Sequence, residues 1–353
     1  MAFGPWSRLL RRNDFDVDLR HLPIAAGITA MSLLHSALGT MQNVQHWWWL
    51  RHAKVEQPPI FVLGHWRAGT TLLHEMMVLD ERHTSPSTYA CLNPIHFVST
   101  EPFARRWLNF LLPSHRPMDN MPTGWERPQE DEFALANLGI PSPYTTVAFP
   151  NNPPQFQEYL TLEGLPAEDV EHWKRGLMRF LIHVNYRAPE KRIVLKSPPH
   201  TSRVKTLLEM FPDARFVHIV RDPYTVFAST NNLWKSLYTK HGLQTPQYAG
   251  LQEYVLKTFE TMYDKFERDR PLVAPEQLCE IRYEDLVRDP ESELRKVYEQ
   301  LDLGELDKFL PALRQYLAST DGYQTNRYPQ LTYDQRDQVA RRWGRFFRQY
   351  GYA

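Results

Sequence analysis

The stretch Gly64–Thr71, GHWRAGTT, decides the fold of this chain. It follows an apolar run, Ile60–Leu63, and precedes a helical pattern that begins at Leu72. A strand, a glycine-bounded loop and a helix form the arrangement in which backbone N–H groups surround a phosphate at a helix N-terminus. The loop is not a complete Walker A motif, because Thr70 stands at the lysine position and Arg67 lies inside the loop instead. We therefore expect a phosphate-bearing donor other than a nucleoside triphosphate.

Alternating strand and helix patterns surround this loop. Three further runs are predicted as strands, each followed by a helical pattern: Arg192–Lys196, Arg215–Val220 and Leu278–Tyr283. This alternation predicts right-handed βαβ units, and hence an α/β, P-loop-type three-layer fold with a central parallel sheet flanked by helices. Ligands of such sheets bind outside the carboxyl ends of the strands. We therefore expect the loop, Lys196, Arg221 and Tyr283 to lie at one edge of the sheet.

Composition limits the classes of function. The chain has 353 residues, 42% hydrophobic and 23% charged, which suits a folded protein with a sizeable core. Its 41 basic and 41 acidic residues balance, so no overall field attracts nucleic acid, and we expect no nucleic-acid partner. Cys91 and Cys279 are the only cysteines, which is typical of a reducing compartment and excludes a multi-cysteine zinc site. One bridge between these two cysteines remains open.

Residues 21–50 form a segment without any Asp, Glu, Lys or Arg. Apolar residues recur in it at helical spacing: Ile24, Ile28, Met31, Leu34, Leu38, Met41 and Trp48. Polar residues fill much of the remainder, which predicts an amphipathic helix. Three interpretations stay open: a helix packed on the domain or a partner, a helix in a membrane interface near Trp47–Trp49, or a span through Leu22–Gly39. The first twenty residues show no cleavable secretory signal, so we expect a cytoplasmic protein, with membrane association left open.

A proline-rich region covers residues 84–155 and contains only short helical pieces such as Ala104–Leu112 and Glu132–Asn137. We expect it to form a wall of the acceptor site within a domain of residues 56–353, preceded by an N-terminal helical extension of residues 1–55. Its aromatic residues suggest a pocket for a small-molecule, glycan or lipid acceptor: Trp107, Trp125, Tyr144 and Phe149.

Arg221 and Ser229 form the second decisive pair. Arg221 ends a predicted strand, and Ser229 lies eight residues later in a predicted helix, Pro223–Leu237. A guanidinium at a strand end and a hydroxyl two turns up the next helix can converge on one phosphate. The sequence thus predicts two anion positions, one at the loop and one here.

With these residues the chain resembles the sulfotransferases that use 3′-phosphoadenylyl sulfate (PAPS), in the bacterial-type branch related to tyrosylprotein and carbohydrate sulfotransferases. The family's R/K-x-G-T-T loop for the 5′-phosphosulfate is matched by Arg67, Ala68, Gly69, Thr70 and Thr71. Its 3′-phosphate element is matched by Arg221 and Ser229. The resemblance implies transfer of a sulfuryl group from PAPS to an acceptor hydroxyl or amine, with release of PAP (adenosine 3′,5′-bisphosphate) and without a metal.

The resemblance also implies roles for three further residues. Tyr283 matches a tyrosine near the adenosine, and Lys196 matches a lysine that some relatives place on the sulfuryl or bridging oxygens. Arg327 is a further candidate contact of the 3′-phosphate. Arg67 and Lys196 would then stabilise the charge that develops on the departing phosphate.

Several residues are candidates for the general base, because the family uses glutamate in some branches and histidine in others. The tyrosylprotein-type position corresponds to Ser85–Cys91, which contains no carboxylate. We therefore choose Glu130 first, with Asp131 and Glu132 as reserves. The imidazole alternatives are His65 and His96.

Two rival functions remain. A P-loop kinase or other NTP-dependent phosphotransferase would need a loop lysine and magnesium-binding carboxylates, which the sequence does not show. A non-catalytic nucleotide-binding scaffold would keep the PAPS pocket but lose turnover. The sequence does not predict the oligomeric state or the identity of the acceptor.

Overall fold

A computed structural model describes residues 1–107, 124–319 and 330–352, apart from the side chain of Leu50. The described strands are β1 (Ile60–Leu63), β2 (His83–Thr84), β3 (Arg192–Lys196), β4 (Arg215–Val220) and β5 (Leu278–Arg282). The described helices are α1 (Phe3–Arg12), α2 (Leu22–His52), α3 (Thr70–Val78), α4 (Thr88–Leu92), α5 (Phe97–Trp107), α6 (Asp131–Leu138), α7 (Ala167–Arg187), α8 (Val204–Met210), α9 (Pro223–His241), α10 (Leu251–Asp269), α11 (Tyr283–Arg288), α12 (Pro290–Gln300), α13 (Leu310–Ser319), α14 (Tyr333–Arg342) and α15 (Gly344–Tyr350).

The chain divides into two compact units. The sheet unit consists of residues 57–84, 191–233 and 250–353, and the helical unit consists of residues 1–56, 85–190 and 234–249. The sequence-based division into residues 1–55 and 56–353 stays a prediction, as does the role of residues 84–155 as a wall of the acceptor site.

The sheet unit contains a five-stranded parallel sheet in the order β2-β3-β1-β4-β5. The central β1 pairs with β3 on one side and with β4 on the other. The predicted strands are confirmed, except that β5 ends one residue early because Tyr283 begins α11. The two-residue β2 is too short to leave a periodic pattern in the sequence.

Alternate strand residues pack on opposite faces of the sheet, which gives the predicted three layers. On one face, Val62 and Ile219 share a buried cluster with Leu73 of α3 and Val297 of α12. On the other face, the ring of Phe61 stacks on that of Phe216, with 5.6 Å between their centroids. His218, next on that face of β4, contacts Phe266 of α10 at 4.4 Å and Tyr263 at 5.8 Å. The α/β fold predicted from the sequence is therefore confirmed.

The helical unit contains α2 as one continuous helix, as the sequence predicts, but the helix presents an unexpected side to the unit. Its buried positions include Ala25, Ser32 and Gln42, whereas Met31 and Leu34 are about half exposed, at 48% and 49%. The apolar side that periodicity identifies thus faces outward. Hydrogen bonds explain the arrangement, because the polar side chains find partners inside the unit.

Both cysteines are buried free thiols, Cys91 in α4 and Cys279 in β5. The disulfide that the sequence left open does not form.

Candidate functional site

The loop after β1 adopts a backbone that ordinary residues avoid. Gly64 has φ of 146° and Gly69 has φ of 103°, both in the region that favours glycine. Arg67 also has a positive φ, 70°, which is uncommon for a residue with a side chain. Gly69 is the N-cap of α3, which begins at Thr70. The first-turn N–H groups of α3, which have no helical acceptors, therefore point toward the loop.

Close packing requires glycine at both ends of this loop. A Cβ at Gly69 would lie 2.3 Å from Cδ2 of Tyr283, and a Cβ at Gly64 would lie 2.6 Å from the backbone oxygen of Ile219. Either side chain would force the loop away from its neighbours. The loop therefore presses directly against the aromatic ring that begins α11.

Two hydroxyl groups that the sequence did not single out hold the loop. The N–H of Gly64 donates to Oγ1 of Thr201 at 2.8 Å, in the buried 3₁₀ turn Pro198–Ser202 after β3. Oγ1 of Thr230 donates to the carbonyl of Trp66 at 3.3 Å. The polar residues His200–Ser202, close after β3, are the signal in the sequence that could have indicated the first of these contacts.

Arg67, Ser229, Arg221 and Tyr283 come together at the carboxyl ends of β1, β4 and β5. Nε of Arg67 donates to Oγ of Ser229 at 2.7 Å. Arg221 donates to the backbone oxygen of Arg67 at 3.1 Å, and its guanidinium lies 4.0 Å from the centroid of the Tyr283 ring. The two anion positions predicted from the sequence are therefore linked through Arg67.

Lys196 joins the same edge of the sheet from β3. Its Nζ donates to Oγ1 of Thr71 at 3.2 Å, so the ammonium group lies beside the first turn of α3. The side chain is almost completely buried, at 1% exposure. A buried ammonium group needs anionic or polar partners, and a bound anion at the helix N-terminus would supply one.

Arg327 and part of the predicted helix Ala104–Leu112 lie outside the described residues. The four predicted aromatic residues do not form one set. Trp107 is exposed, whereas Phe149 is fully buried in a small cluster with Trp6 and Ala25 in the helical unit. Tyr144 is buried and instead bonds to a candidate base.

The acidic residues at the start of α6 differ from one another in the helical unit. Asp131 and Glu132 are completely buried, and Oε1 of Glu132 accepts a hydrogen bond from Ser142 at 2.6 Å. Glu130 is partly exposed and accepts a short hydrogen bond from the hydroxyl of Tyr144 through Oε2. Among these three acids, Glu130 is the one that is partly exposed.

His65 lies in the sheet unit within an aromatic environment. It is buried at 1% exposure, and its ring is 5.0 Å from that of Phe259. Nδ1 donates to the carbonyl of Trp66 at 3.0 Å. Burial lowers the pKa of His65 to about 4, so the imidazole is neutral near pH 7. Its hydrogen bond therefore holds the loop.

His96 is occupied on both nitrogens within the helical unit. Nε2 lies 2.7 Å from Nδ1 of His35, and Nδ1 lies 2.8 Å from Oγ1 of Thr100. Thr100 donates its own proton to the carbonyl of His96, so Nδ1–H of His96 is the donor to Thr100 and Nε2 accepts from His35. This network leaves neither nitrogen of His96 to accept a proton from another molecule.

Within residues 1–107, 124–319 and 330–352, no group of three or more His, Cys, Asp or Glu side chains is arranged to hold a metal ion.

Comparison with known proteins places these features in a family. A model of the sulfotransferase family matches residues 58–307, which include the loop, Lys196, Arg221, Ser229 and Tyr283. The chain is 48% identical over 350 residues to "Omega-hydroxy-beta-dihydromenaquinone-9 sulfotransferase Stf3" of Mycobacterium bovis, and the alignment covers 99% of this chain and 89% of the relative.

Solved structures share the fold at lower identity. Sulfotransferase STF9 from Mycobacterium avium aligns with a TM-score of 0.68 and 21% identity, over 94% of this chain and 84% of that one. Sulfotransferase STF1 from Mycobacterium tuberculosis H37Rv aligns with a TM-score of 0.63 and 20% identity, over 86% and 80%. The family match over most of the chain and the near-complete alignment with a 48% identical relative lead to one conclusion: the chain belongs to the sulfotransferase family and is an enzyme of sulfuryl transfer.

Proposed function

We propose that this enzyme transfers a sulfuryl group from PAPS to the terminal hydroxyl group of a long-chain isoprenoid quinone, and releases PAP. The observation that carries the donor assignment is the linked set Arg67, Ser229, Arg221 and Tyr283 at one edge of the parallel sheet. The acceptor assignment is supported by the relative whose name specifies an omega-hydroxy-beta-dihydromenaquinone-9.

The residues present fit a donor with two anionic groups. The loop has positive φ at Gly64, Arg67 and Gly69, and the N-terminus of α3 directs N–H groups toward it. We assign the 5′-phosphosulfate to Arg67 and the amides of residues 68–71, and the 3′-phosphate to Arg221 and Ser229. Arg327 stays a predicted further contact of the 3′-phosphate. Tyr283, which carries the Arg221 guanidinium on its face, is assigned to the adenosine.

Arg67 and Lys196 stabilise the departing phosphate in this proposal. Negative charge grows on that phosphate as the bond to sulfur breaks, and preorganised cations in a water-poor site are the most effective stabilisers. Lys196 satisfies this description because its ammonium group is buried and fixed beside Thr71. The proposal requires no metal.

Glu130 is the proposed general base, which takes the proton of the acceptor hydroxyl. Its carboxylate is partly exposed, while Asp131 and Glu132 are completely buried. Tyr144 donates to Oε2 and so orients the carboxylate that would take the acceptor proton. The two histidine alternatives are less suitable, because His65 is buried at 1% exposure and Nε2 of His96 already accepts from His35.

Titration calorimetry with PAP and with ATP, each with and without Mg²⁺, tests the donor assignment. We expect metal-independent PAP binding that weakens at least about tenfold in Arg221→Ala, since a charged hydrogen bond to phosphate is lost. Arg341→Ala, at an exposed position of α14, is the matched control and should bind as the wild type does. Metal-dependent ATP binding without any response to PAP would instead favour a phosphotransferase.

Turnover tests the acceptor and the base separately. Sulfated product should form from PAPS and an omega-hydroxylated menaquinone, and not from the same quinone without the hydroxyl group. We expect Glu130→Gln to lower kcat roughly 10²- to 10⁴-fold with PAP affinity intact. Lys196→Ala should lower kcat about 10²- to 10³-fold. Glu126→Gln, a nearby exposed carboxylate, serves as the control.

The outcomes separate the rival functions. Intact PAP binding without any sulfated product, whatever the acceptor, would identify a nucleotide-binding scaffold. If Glu130→Gln forms product as fast as the wild type does, the base assignment is wrong. The assignment of the donor site is not affected by that result.

A further inference from the structure

Helix α2 has its polar side bonded into the helical unit. Oγ1 of Thr29 accepts from Nε1 of Trp6 at 2.8 Å, and Oγ of Ser36 accepts from the backbone N–H of Phe3 at 3.0 Å. Further along, Gln42 is completely buried and bonds at both ends of its amide. Its Nε2 donates to the carbonyl of Ile95 at 3.1 Å, and its Oε1 accepts from the N–H of Ser99 at 3.1 Å. The inward side of α2 is therefore polar over most of its length.

The outward side of α2 is apolar and exposed to solvent. Helices on the surface of soluble proteins have the opposite arrangement, with the apolar side toward the core. The exposed large apolar residues are Leu22, Ile24, Ile28, Met31, Leu33, Leu34, Met41, Val44, Trp47, Trp48 and Trp49. So many exposed large apolar residues on one helix mark an interaction site.

A basic groove adjoins the tryptophan end of this surface. It has a volume of about 400 Å³ and lies between α2 and α7, within the helical unit. Arg51, Arg175 and Arg179 line it together with Trp47 and Ile182, and no carboxylate is among its described lining residues. The guanidinium of Arg51 lies 5.0 Å from the centroid of the Trp47 ring. Cations beside an apolar floor match the phosphate and acyl boundary of a lipid layer.

The residues at the two ends of this segment are of the types found at the headgroup level of a membrane. Residues 21–50 carry no Asp, Glu, Lys or Arg, and basic residues flank the segment at Arg20 and Arg51. Tryptophan, concentrated here in Trp47–Trp49, is the residue most typical of the headgroup level.

The contacts of α2 also distinguish lying on a membrane from crossing it. By length and composition the helix could span a bilayer. Its polar side, however, is bonded to α1 and to the Ile95–Ser99 segment from Thr29 to Gln42. A span would have to break these bonds and place the freed groups in hydrocarbon, which costs several kcal/mol for each unsatisfied group. The helix therefore presents only its outward side.

We propose that the helical unit docks on the surface of a bilayer that contains anionic lipids, with α2 lying in the plane of the interface. The apolar side of α2 enters the acyl boundary, and Arg51, Arg175 and Arg179 contact lipid phosphates. This docking does not rest on the proposed acceptor, because it depends only on the described surface.

Co-sedimentation of the full chain with vesicles tests the proposal. The vesicles are phosphatidylcholine alone or with phosphatidylglycerol, without any quinone. The wild type should bind the anionic vesicles, and the triple variant Met31→Gln/Leu34→Gln/Trp48→Gln should bind at least about tenfold more weakly, since three apolar side chains are lost. The matched control, Leu272→Gln/Val287→Gln/Tyr333→Gln, changes three exposed residues of the sheet unit and should bind as the wild type does.

The arginines form the second arm of the test. Each basic residue near an anionic surface contributes roughly fivefold to partitioning. We therefore expect Arg51→Gln/Arg175→Gln/Arg179→Gln to bind phosphatidylglycerol vesicles roughly 10- to 100-fold more weakly. Raising the salt concentration from about 0.1 M to about 0.5 M should weaken the wild type and change this variant little.

Three results would overturn the proposal. The first is that the wild type does not bind vesicles, and the second is that the α2 variant binds them as well as the wild type does. The third is that the protein sediments as a dimer without lipid and that the α2 substitutions convert this dimer to a monomer. The last would show that a second copy of the chain covers the surface. Circular dichroism and denaturation of each variant confirm that it is folded. Sulfotransferase activity with a soluble acceptor measures a separate property, so its loss would not imitate loss of docking.

Discussion

Helices α2 and α10 turn opposite kinds of residues toward the inside of their units. In α10, the side that faces inward carries Val255, Phe259, Met262 and Phe266, all almost completely buried. In α2, the inward side carries polar and small residues, and the large apolar residues face out. The comparison teaches that a periodic pattern defines the two sides of a helix but does not say which side is inside. The partners offered by the rest of the unit decide that.

The largest expected effect is on the inward side of α10. Phe259→Ala should lower the free energy of unfolding by about 3–5 kcal/mol, since it leaves a cavity where the ring now packs. That ring stacks on Trp343 at 3.7 Å and contacts His65 at 5.0 Å. Denaturant unfolding measures the effect. A loss below about 1 kcal/mol would show that the site collapses or that this side of α10 is not core.

The next effect is on the inward side of α2. Gln42→Leu should lower the free energy of unfolding by about 1–3 kcal/mol, although leucine is the more hydrophobic residue. The substitution leaves the N–H of Ser99 and the carbonyl of Ile95 without their hydrogen-bond partners. Gln45→Leu, whose position on α2 is exposed, is the comparison variant. If Gln42→Leu were neutral or stabilising, the polar interior of α2 would not depend on hydrogen bonds.

A pH-dependent effect should come from the histidine pair that joins α2 to the rest of its unit. Burial lowers the pKa of both His35 and His96 to about 4, and the nearby N-terminal ammonium group acts in the same direction. At a pH between the ordinary pKa of 6.5 and the folded value of about 4, the two histidines bind protons in the unfolded chain and stay neutral in the folded chain. Stability should fall as the pH drops from 6.5 toward 4, the range between the ordinary and the folded pKa values.

Thermal unfolding between pH 7 and pH 4 measures this dependence. His35→Asn should reduce the slope of the melting temperature against pH, whereas His172→Asn, at an exposed position of α7, should not change it. An unchanged slope in His35→Asn would mean that other buried histidines carry the dependence.

The smallest effect is expected on the outward side of α2. Leu34→Ala should change the free energy of unfolding by no more than about 0.5 kcal/mol, since the side chain is already half exposed. The same denaturant measurement applies as for Phe259→Ala. A cost close to that of the α10 variant would mean that the outward side is covered in solution.

The sequence predicted the sheet, and the meeting of the loop with Arg221 at one edge of it, better than the surroundings of Glu130. Gly69 and Arg221 each follow the end of a strand within a few residues. The position of that strand in the sheet therefore determines where each residue lies. Thr201 was missed, because a hydroxyl group finds its partner only after distant segments have met. Tyr144 was predicted as part of an acceptor pocket, and its bond to Glu130 leaves no trace in the spacing of the two residues. The orientation of α2 was missed for the same reason, since its partners lie in other segments.

The central position of β1 in the sheet has a consequence for how the protein is made. Ile60–Leu63 pairs with Arg192–Lys196, which leaves the ribosome about 130 residues later, or roughly 7–26 s at ordinary rates of synthesis. Until then four fully buried apolar residues have no strand beside them. Parallel pairing over such a separation is intrinsically slow and exposed to aggregation. The nascent chain should therefore be a strong client of chaperones, and slower translation through residues 85–190 should lengthen the period of risk.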